Sequence, residues 1–413
     1  MLTNLKKNQN NFLEYLSDSI TYIHKNIFNT AAYKQYKVDE PYLQKYIDTS
    51  RLQKENANIN HIYYDSIYLH VKNALKKHNI HVTFQTVYSL NRKNETLEIN
   101  NKNFIIYDQY LGKTINLFNK AFLQLNDPHV INHYCFRYLV ESFRVKGMGI
   151  EADMFIELGK KTNSFEKLNS AYRAESLISS YTYIQETFII FHEIAHLIVK
   201  KNPRYLNFRF NKISKYIDDQ TFSILNKLSK QKNENIENFE FNLDDKRRKN
   251  LVEEITCDYI ATKYTFEALL ELNLLEPAQF CEAIYLGLRS MRSLNLLDGY
   301  ITSYSNRRDT KKTNNLSQLF KESSIRFWLI KDSISLMYKG KYRKKFSEDP
   351  LLSLLEKDMK ECSKFYEDPF HKINSILDEL SEMITPEVIE KVSYAEQQET
   401  LEYVDKVLQR VSN

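Results

Sequence analysis

The sequence predicts an α+β protein that is mainly α, with one small β-sheet early in the chain. Three observations lead there. Only 7 glycines and 7 prolines punctuate 413 residues, so long helices meet few breakers. Apolar residues recur at three- and four-residue spacing through most of the chain, the period of a helix with one buried face. Between residues 80 and 108 alone the period drops to two, in sequence rich in β-branched and aromatic residues. Hydrophobic content of 42% supports a sizeable core, and the length implies two or three structural units.

Taken in order, residues 11–78 read as helical, with an Asn-rich break near 56–60. HVTFQTVYSL (81–90) alternates, NRKNE supplies a polar turn, and TLEI and NFIIYD follow, which reads as a small meander of two or three strands. Helical patterns resume at 111–125 and 129–145, and Gly147-Met148-Gly149 marks a turn. One long helix is expected from Ser170 to Lys201, stopped before Pro203. Residues 203–250 are polar and, with QKNENIENFEFNLDDKRRKN, read as a loop or a lid-like excursion. LVEEITCDYIATKYTFEALLEL (251–272) is helical again. The remainder reads as further helices, with Thr385-Pro386-Glu387 a good start for one: cap, proline at the first position, acid in the first turn. No internal repeat is visible. Three regions follow: an N-terminal helical region (1–78), a central region that carries the sheet and the chemistry (79–310), and a C-terminal helical region (311–413).

Composition excludes several classes. The net charge of +5 and pI near 8.6 are mildly basic, but no basic stripe emerges, so charge argues against a nucleic-acid partner. Cys135, Cys257, Cys281 and Cys362 lie far apart and form no Cys-x-x-Cys pair, which argues for reduced thiols rather than a zinc knuckle or a disulfide framework. The N-terminus MLTNLKKNQNNFLEYL lacks the apolar core of a signal peptide. No stretch approaches the roughly 18 apolar residues of a membrane span. A soluble, cytoplasmic protein is expected.

The chemistry concentrates in FHEIAHLIVKK (191–201). His192 and His196 are four apart, so a helix stacks them on one face, where two imidazoles can hold one Zn²⁺ at about 2.0–2.1 Å each. Glu193 is rotated by roughly 100° from His192, which keeps it out of that bite but lets it lean over the open side of the ion. There a carboxylate can take a proton from a water already acidified by zinc. Phe191, Ile194, Ala195, Leu197 and Ile198 are apolar and can bury the other faces of the helix.

A catalytic zinc wants a third protein ligand. A histidine six residues after His196, with glycine three residues after it, is excluded because Asn202 and Val199 hold those positions. A glutamate from a later helix is the other route, and LVEEITCDYIA offers Glu253 and Glu254. Glu254 is followed one turn on by Asp258, whereas Glu253 is followed by Cys257. An Asp at that place can accept the second ring N–H of a zinc histidine, most simply His192, and set its tautomer. Ala261 continues the stripe with a small side chain, which suits close packing on the HEIAH helix. Glu254 is therefore the expected ligand, with Asp258 behind it.

His192-Glu193-x-x-His196 followed by Glu254-x-x-x-Asp258 resembles the gluzincin class of zinc peptidases. The E-x-x-C-D-x-x-A form of the second motif is similar to bacterial Lit-type phage-exclusion peptidases and, more loosely, to ImmA/IrrE-type peptidases of mobile elements. The resemblance covers two short motifs and their order. It implies a zincin-like core in which a sheet lies beside the HEIAH helix, and residues 80–108, NFIIYD in particular, could supply an edge strand for an extended substrate. It also implies a protein substrate inside the cell and a role in phage or mobile-element conflict. The expected activity is thus a zinc endopeptidase, with a helical interaction or sensor protein carrying a vestigial or structural metal site as the alternative. An electrophile for the oxyanion is not assigned; His371, the one histidine after His196, sits in EDPFHKIN, which reads as the start of a surface helix.

Overall fold

A computed structural model describes residues 62–87, 92, 94–99, 102–123, 136–143, 148, 151–152, 154–156, 175–207, 210–219, 244–308 and several positions between 325 and 337. The expectations for residues 1–61, for 220–243, for the Thr385-Pro386-Glu387 helix start, and for His371, Cys135 and Cys362 lie outside the described residues. What is described is mainly helical with one three-stranded sheet.

Helix α1 (Ile62–Lys76) buries Tyr63, Tyr64, Ile67, Val71, Ala74 and Leu75, a stripe at three- and four-residue spacing. It ends where Asn79 adopts φ 51° and the Ile80 N–H reaches the Leu75 carbonyl at 3.2 Å, a left-handed stop that asparagine tolerates. Strands β1 (Val82–Val87), β2 (Asn94–Ile99) and β3 (Lys102–Asp108) follow in the order β1-β3-β2.

That order corrects the expected meander. β2 and β3 do form an antiparallel hairpin, Ile99 opposite Lys102, but β1 pairs parallel with β3 on its far side, Val82 opposite Asn103. The reason lies in side chains. β3 carries Phe104, Ile105, Ile106 and Tyr107 in succession, all buried, so both of its faces need cover and it belongs in the middle. β2, NETLEI, alternates polar residues and suits an edge. NFIIYD is consequently not an edge strand; β2 is.

Asp108 ends β3 and accepts the Tyr110 N–H at 2.9 Å, the capping interaction that starts α2 (Gln109–Leu123). Helix α3 (Glu175–Lys201) runs through the centre and stops just before Pro203, as the sequence indicates. Helix α4 (Asp245–Leu269) begins six residues earlier than expected, because Asp244 accepts the Arg247 N–H at 2.8 Å and caps it. Residues 210–219, expected as part of a loop, are helical too; Ile213 and Ile217 pack with Leu251, Val252 and Ile255 of α4 in a small second core. After a 3₁₀ turn (Leu270–Leu272), α5 spans Pro277–Arg308, with proline at its first position.

The main core joins α1, the sheet, α3, α4 and α5. Close approach of α5 to α3 rests on Gly287, where a Cβ would lie 3.2 Å from the Gln185 side chain. No helix among the described residues is long and apolar enough to cross a membrane.

Candidate metal centre

Helix α3 is buried from Ile178 to Val199 with three exceptions: His192, Glu193 and His196. Among the described residues these three, all with side chains able to bind a ligand or a proton, are the part-exposed positions of that stretch. Their rings stand edge to face with centroids 5.0 Å apart, the neighbourly relation that i, i+4 spacing dictates.

Helix α4 packs against α3 and brings its acids to those positions. Ala261 of α4 is fully buried. Glu254 lies between the two histidines: Oε2 is 3.3 Å from His192 Nε2 and Oε1 is 3.5 Å from His196 Nε2. One ligand atom from each of His192, His196 and Glu254 falls within 4.8 Å of the others. The two separations run to different oxygens of the Glu254 carboxylate, which faces both rings, and the three side chains could together hold a metal ion. Two imidazoles and a carboxylate match zinc in donor type.

The remaining ring nitrogens face other partners. His192 Nδ1 lies 2.9 Å from Asp258 Oδ1, though its N–H is not aligned on that oxygen. His196 Nδ1 lies 3.0 Å from Glu253 Oε1 and 3.5 Å from Cys257 Sγ. Both histidines therefore turn Nε2 toward Glu254. Burial opposes the charge on His192, but Asp258 and Glu254 outweigh it and raise the pKa to about 10. Burial likewise disfavours ionisation of Glu254, yet His192 and Arg326 hold its carboxyl well below the usual range.

Arg326 is a participant that nothing in the sequence singles out, since it lies 68 residues beyond Asp258 in a stretch with no motif. Its Nε and Nη2 each meet Asp258 at 2.9 Å, and its Nη1 reaches Glu254 Oε2 at 2.9 Å. Asp258 is only 3% exposed and takes this bidentate guanidinium as its second partner. The buried Asp258 carboxyl is held low by Arg326 and His192 against the effect of burial.

Glu193 lines the same cleft and is tied to the sheet. Thr96 of β2 donates to the Glu193 carbonyl at 2.9 Å and reaches Oε2 at 3.3 Å, while Asn94 donates to the Ile189 carbonyl one turn earlier at 3.1 Å. Alternate residues of β2 are thus stitched to successive turns of α3. Burial raises the Glu193 pKa, partly offset by the two histidines, which makes this carboxylate a better base than an exposed one. Burial pushes the Cys257 thiol up as well, and neither Cys257 nor Cys281 is in a disulfide.

A cavity of about 170 Å³ opens over the cluster. Phe188 and Ile189 of α3 and Leu288 and Met291 of α5 give it apolar walls, and Arg292 and Asn295 stand on the α5 side. No tyrosine and no third histidine line it among the described residues. All five residues expected from the sequence, His192, Glu193, His196, Glu254 and Asp258, line this one cleft. Glu253, weighed in the sequence as a rival to Glu254, sits beside His196 instead. Comparison of the chain with protein-family models, curated proteins and solved structures returns no match.

Proposed function

We propose that the protein is a zinc-dependent endopeptidase in which His192, His196 and Glu254 hold the ion and Glu193 is the general base. The observation that carries this reading is the joint placement of three convergent ligands and a separately held carboxylate in one cleft, at the part-exposed positions of an otherwise buried helix stretch. Zinc bound there would supply Lewis acidity, polarising a carbonyl and lowering the pKa of water toward about 7.

The protein's own groups divide the remaining work. Glu193 takes a proton from the attacking water and returns it to the leaving amine, a shuttle that its raised pKa favours. Asp258 orients His192, and Arg326 holds Asp258 and Glu254 in place. β2 is the edge strand beside Glu193, and among the described residues nothing pairs with its outer side, so it is the strand to which an extended substrate would add. On this reading the sheet, α3 and α4 make up a zincin-like core. The resemblance of Glu254-x-x-Cys257-Asp258-x-x-Ala261 to Lit-type peptidases directs the activity at a cytoplasmic protein in a phage or mobile-element conflict.

Metal content and turnover test this directly. One zinc per chain is expected in the wild type and in Glu193→Gln, and none in His192→Ala or Glu254→Ala. Comparing the proteome of cells expressing wild type with that of cells expressing Glu193→Gln should reveal a cleaved protein in the first only, with turnover at least about 10²-fold lower in the variant. A wild-type chain that binds no zinc, or a Glu193→Gln variant that cleaves as fast, would overturn the assignment and favour the interaction-protein alternative.

A further inference from the structure

Antiparallel packing of α3 and α4 gives each histidine its own carboxylate. Moving one turn forward on α3, from His192 to His196, moves the facing position back on α4 from Asp258 to Glu253. Glu254 and Asp258 form one i, i+4 stripe of α4, and Glu253 and Cys257 form the adjacent one. The first stripe meets His192 and, through Glu254, also His196, while the second meets His196 alone.

We propose that Glu253 is a positioning residue for the metal site: it accepts the His196 Nδ1–H and so commits Nε2 of that ring to the ion. Resting on the zinc reading above, this makes one helix the source of the ligand and of both outer carboxylates. The geometry favours Glu253 over its competitor, since its oxygen is at 3.0 Å while the Cys257 sulfur is at 3.5 Å, and a thiol is the weaker hydrogen-bonding group. With Nδ1 taken, Nε2 is left toward Glu254, as in His192. The Glu253 side chain is 40% exposed against 3% for Asp258, so solvent screens its hold and the effect of losing it is the smaller of the two.

Zinc affinity measured by competition with a chelator, together with ¹⁵N-histidine spectra of the metal-free chain, decides the matter. Loss of an outer carboxylate typically weakens metal binding by about 10–100-fold. Glu253→Ala is expected at about 10-fold and Asp258→Ala nearer 100-fold. Glu253→Gln, whose amide oxygen can accept the same N–H, should recover most of the loss. Glu253→Met, which keeps the stem and removes the acceptor, should match Glu253→Ala. The spectra should show one His196 tautomer in wild type and Glu253→Gln, and a mixture in the Ala and Met variants. Unchanged affinity and a single tautomer in Glu253→Ala and Glu253→Met would reduce Glu253 to a surface acid while leaving the zinc reading intact. A wild-type chain that takes up no zinc would instead remove the zinc reading and this role together.

Discussion

At the scale of single residues, the site sets Glu253, Glu254 and Asp258 against His192, His196 and Arg326. Arg326 contacts Asp258 through two nitrogens and Glu254 through the third. Removing one partner of a buried ion pair leaves the other charge uncompensated, at a cost of about 3–5 kcal/mol. Arg326→Ala should therefore lower the unfolding free energy by about that amount, read from denaturant midpoints. Arg326→Lys should restore only part of it, because an ammonium cannot reproduce a planar fork across two carboxylate oxygens. A wild-type midpoint in Arg326→Ala would show that Asp258 needs only His192.

At the scale of elements, α3 is fixed to α1 and the sheet by a buried acid. Glu186 is fully buried and accepts hydrogen bonds from Tyr63, from Tyr64 at 2.9 Å and from Tyr107 at 2.7 Å. Burial raises its pKa to about 7, and the three phenols only partly offset the rise. The native state thus keeps a proton that the unfolded chain has already released, so this group's contribution is constant below about pH 4.5, falls as pH rises toward 7, and levels off above it. The predicted loss across that window is roughly 3 kcal/mol. Glu186→Gln retains an acceptor and cannot titrate, so its stability relative to wild type should improve by roughly that amount between pH 4.5 and pH 8. A difference that does not vary with pH would mean that Glu186 titrates in the native state as it does in the unfolded chain.

At the scale of the whole molecule, the proposed metal site joins the two helices that share the largest contact in the described fold, α3 and α4. A ligand that binds only the folded chain stabilises it by about 4 kcal/mol at a thousandfold excess over Kd. Zinc should raise the melting temperature of the wild type, and chelator should reverse the rise; His192→Ala should respond to neither. The metal-free chain is still expected to melt cooperatively, because the pairs among His192, Asp258, Arg326 and Glu254 already join the elements.

The sequence alone determined the parts of this protein whose signals are local. Helix spacing puts His192 and His196 on one face, Pro203 ends their helix, and the i, i+4 relation of Glu254 and Asp258 marks them out from Glu253 and Cys257 as one stripe. Each of these is a statement about residues a turn apart, where backbone geometry leaves little freedom. Tertiary structure decided what depends on distant segments meeting. β3 sits at the centre of the sheet because only there are both faces of NFIIYD covered. Glu253 turns from a rival ligand into a partner of His196 because α4 packs antiparallel on α3. Arg326 enters because the chain returns to the site after more than sixty residues, and no periodicity records where a chain will return.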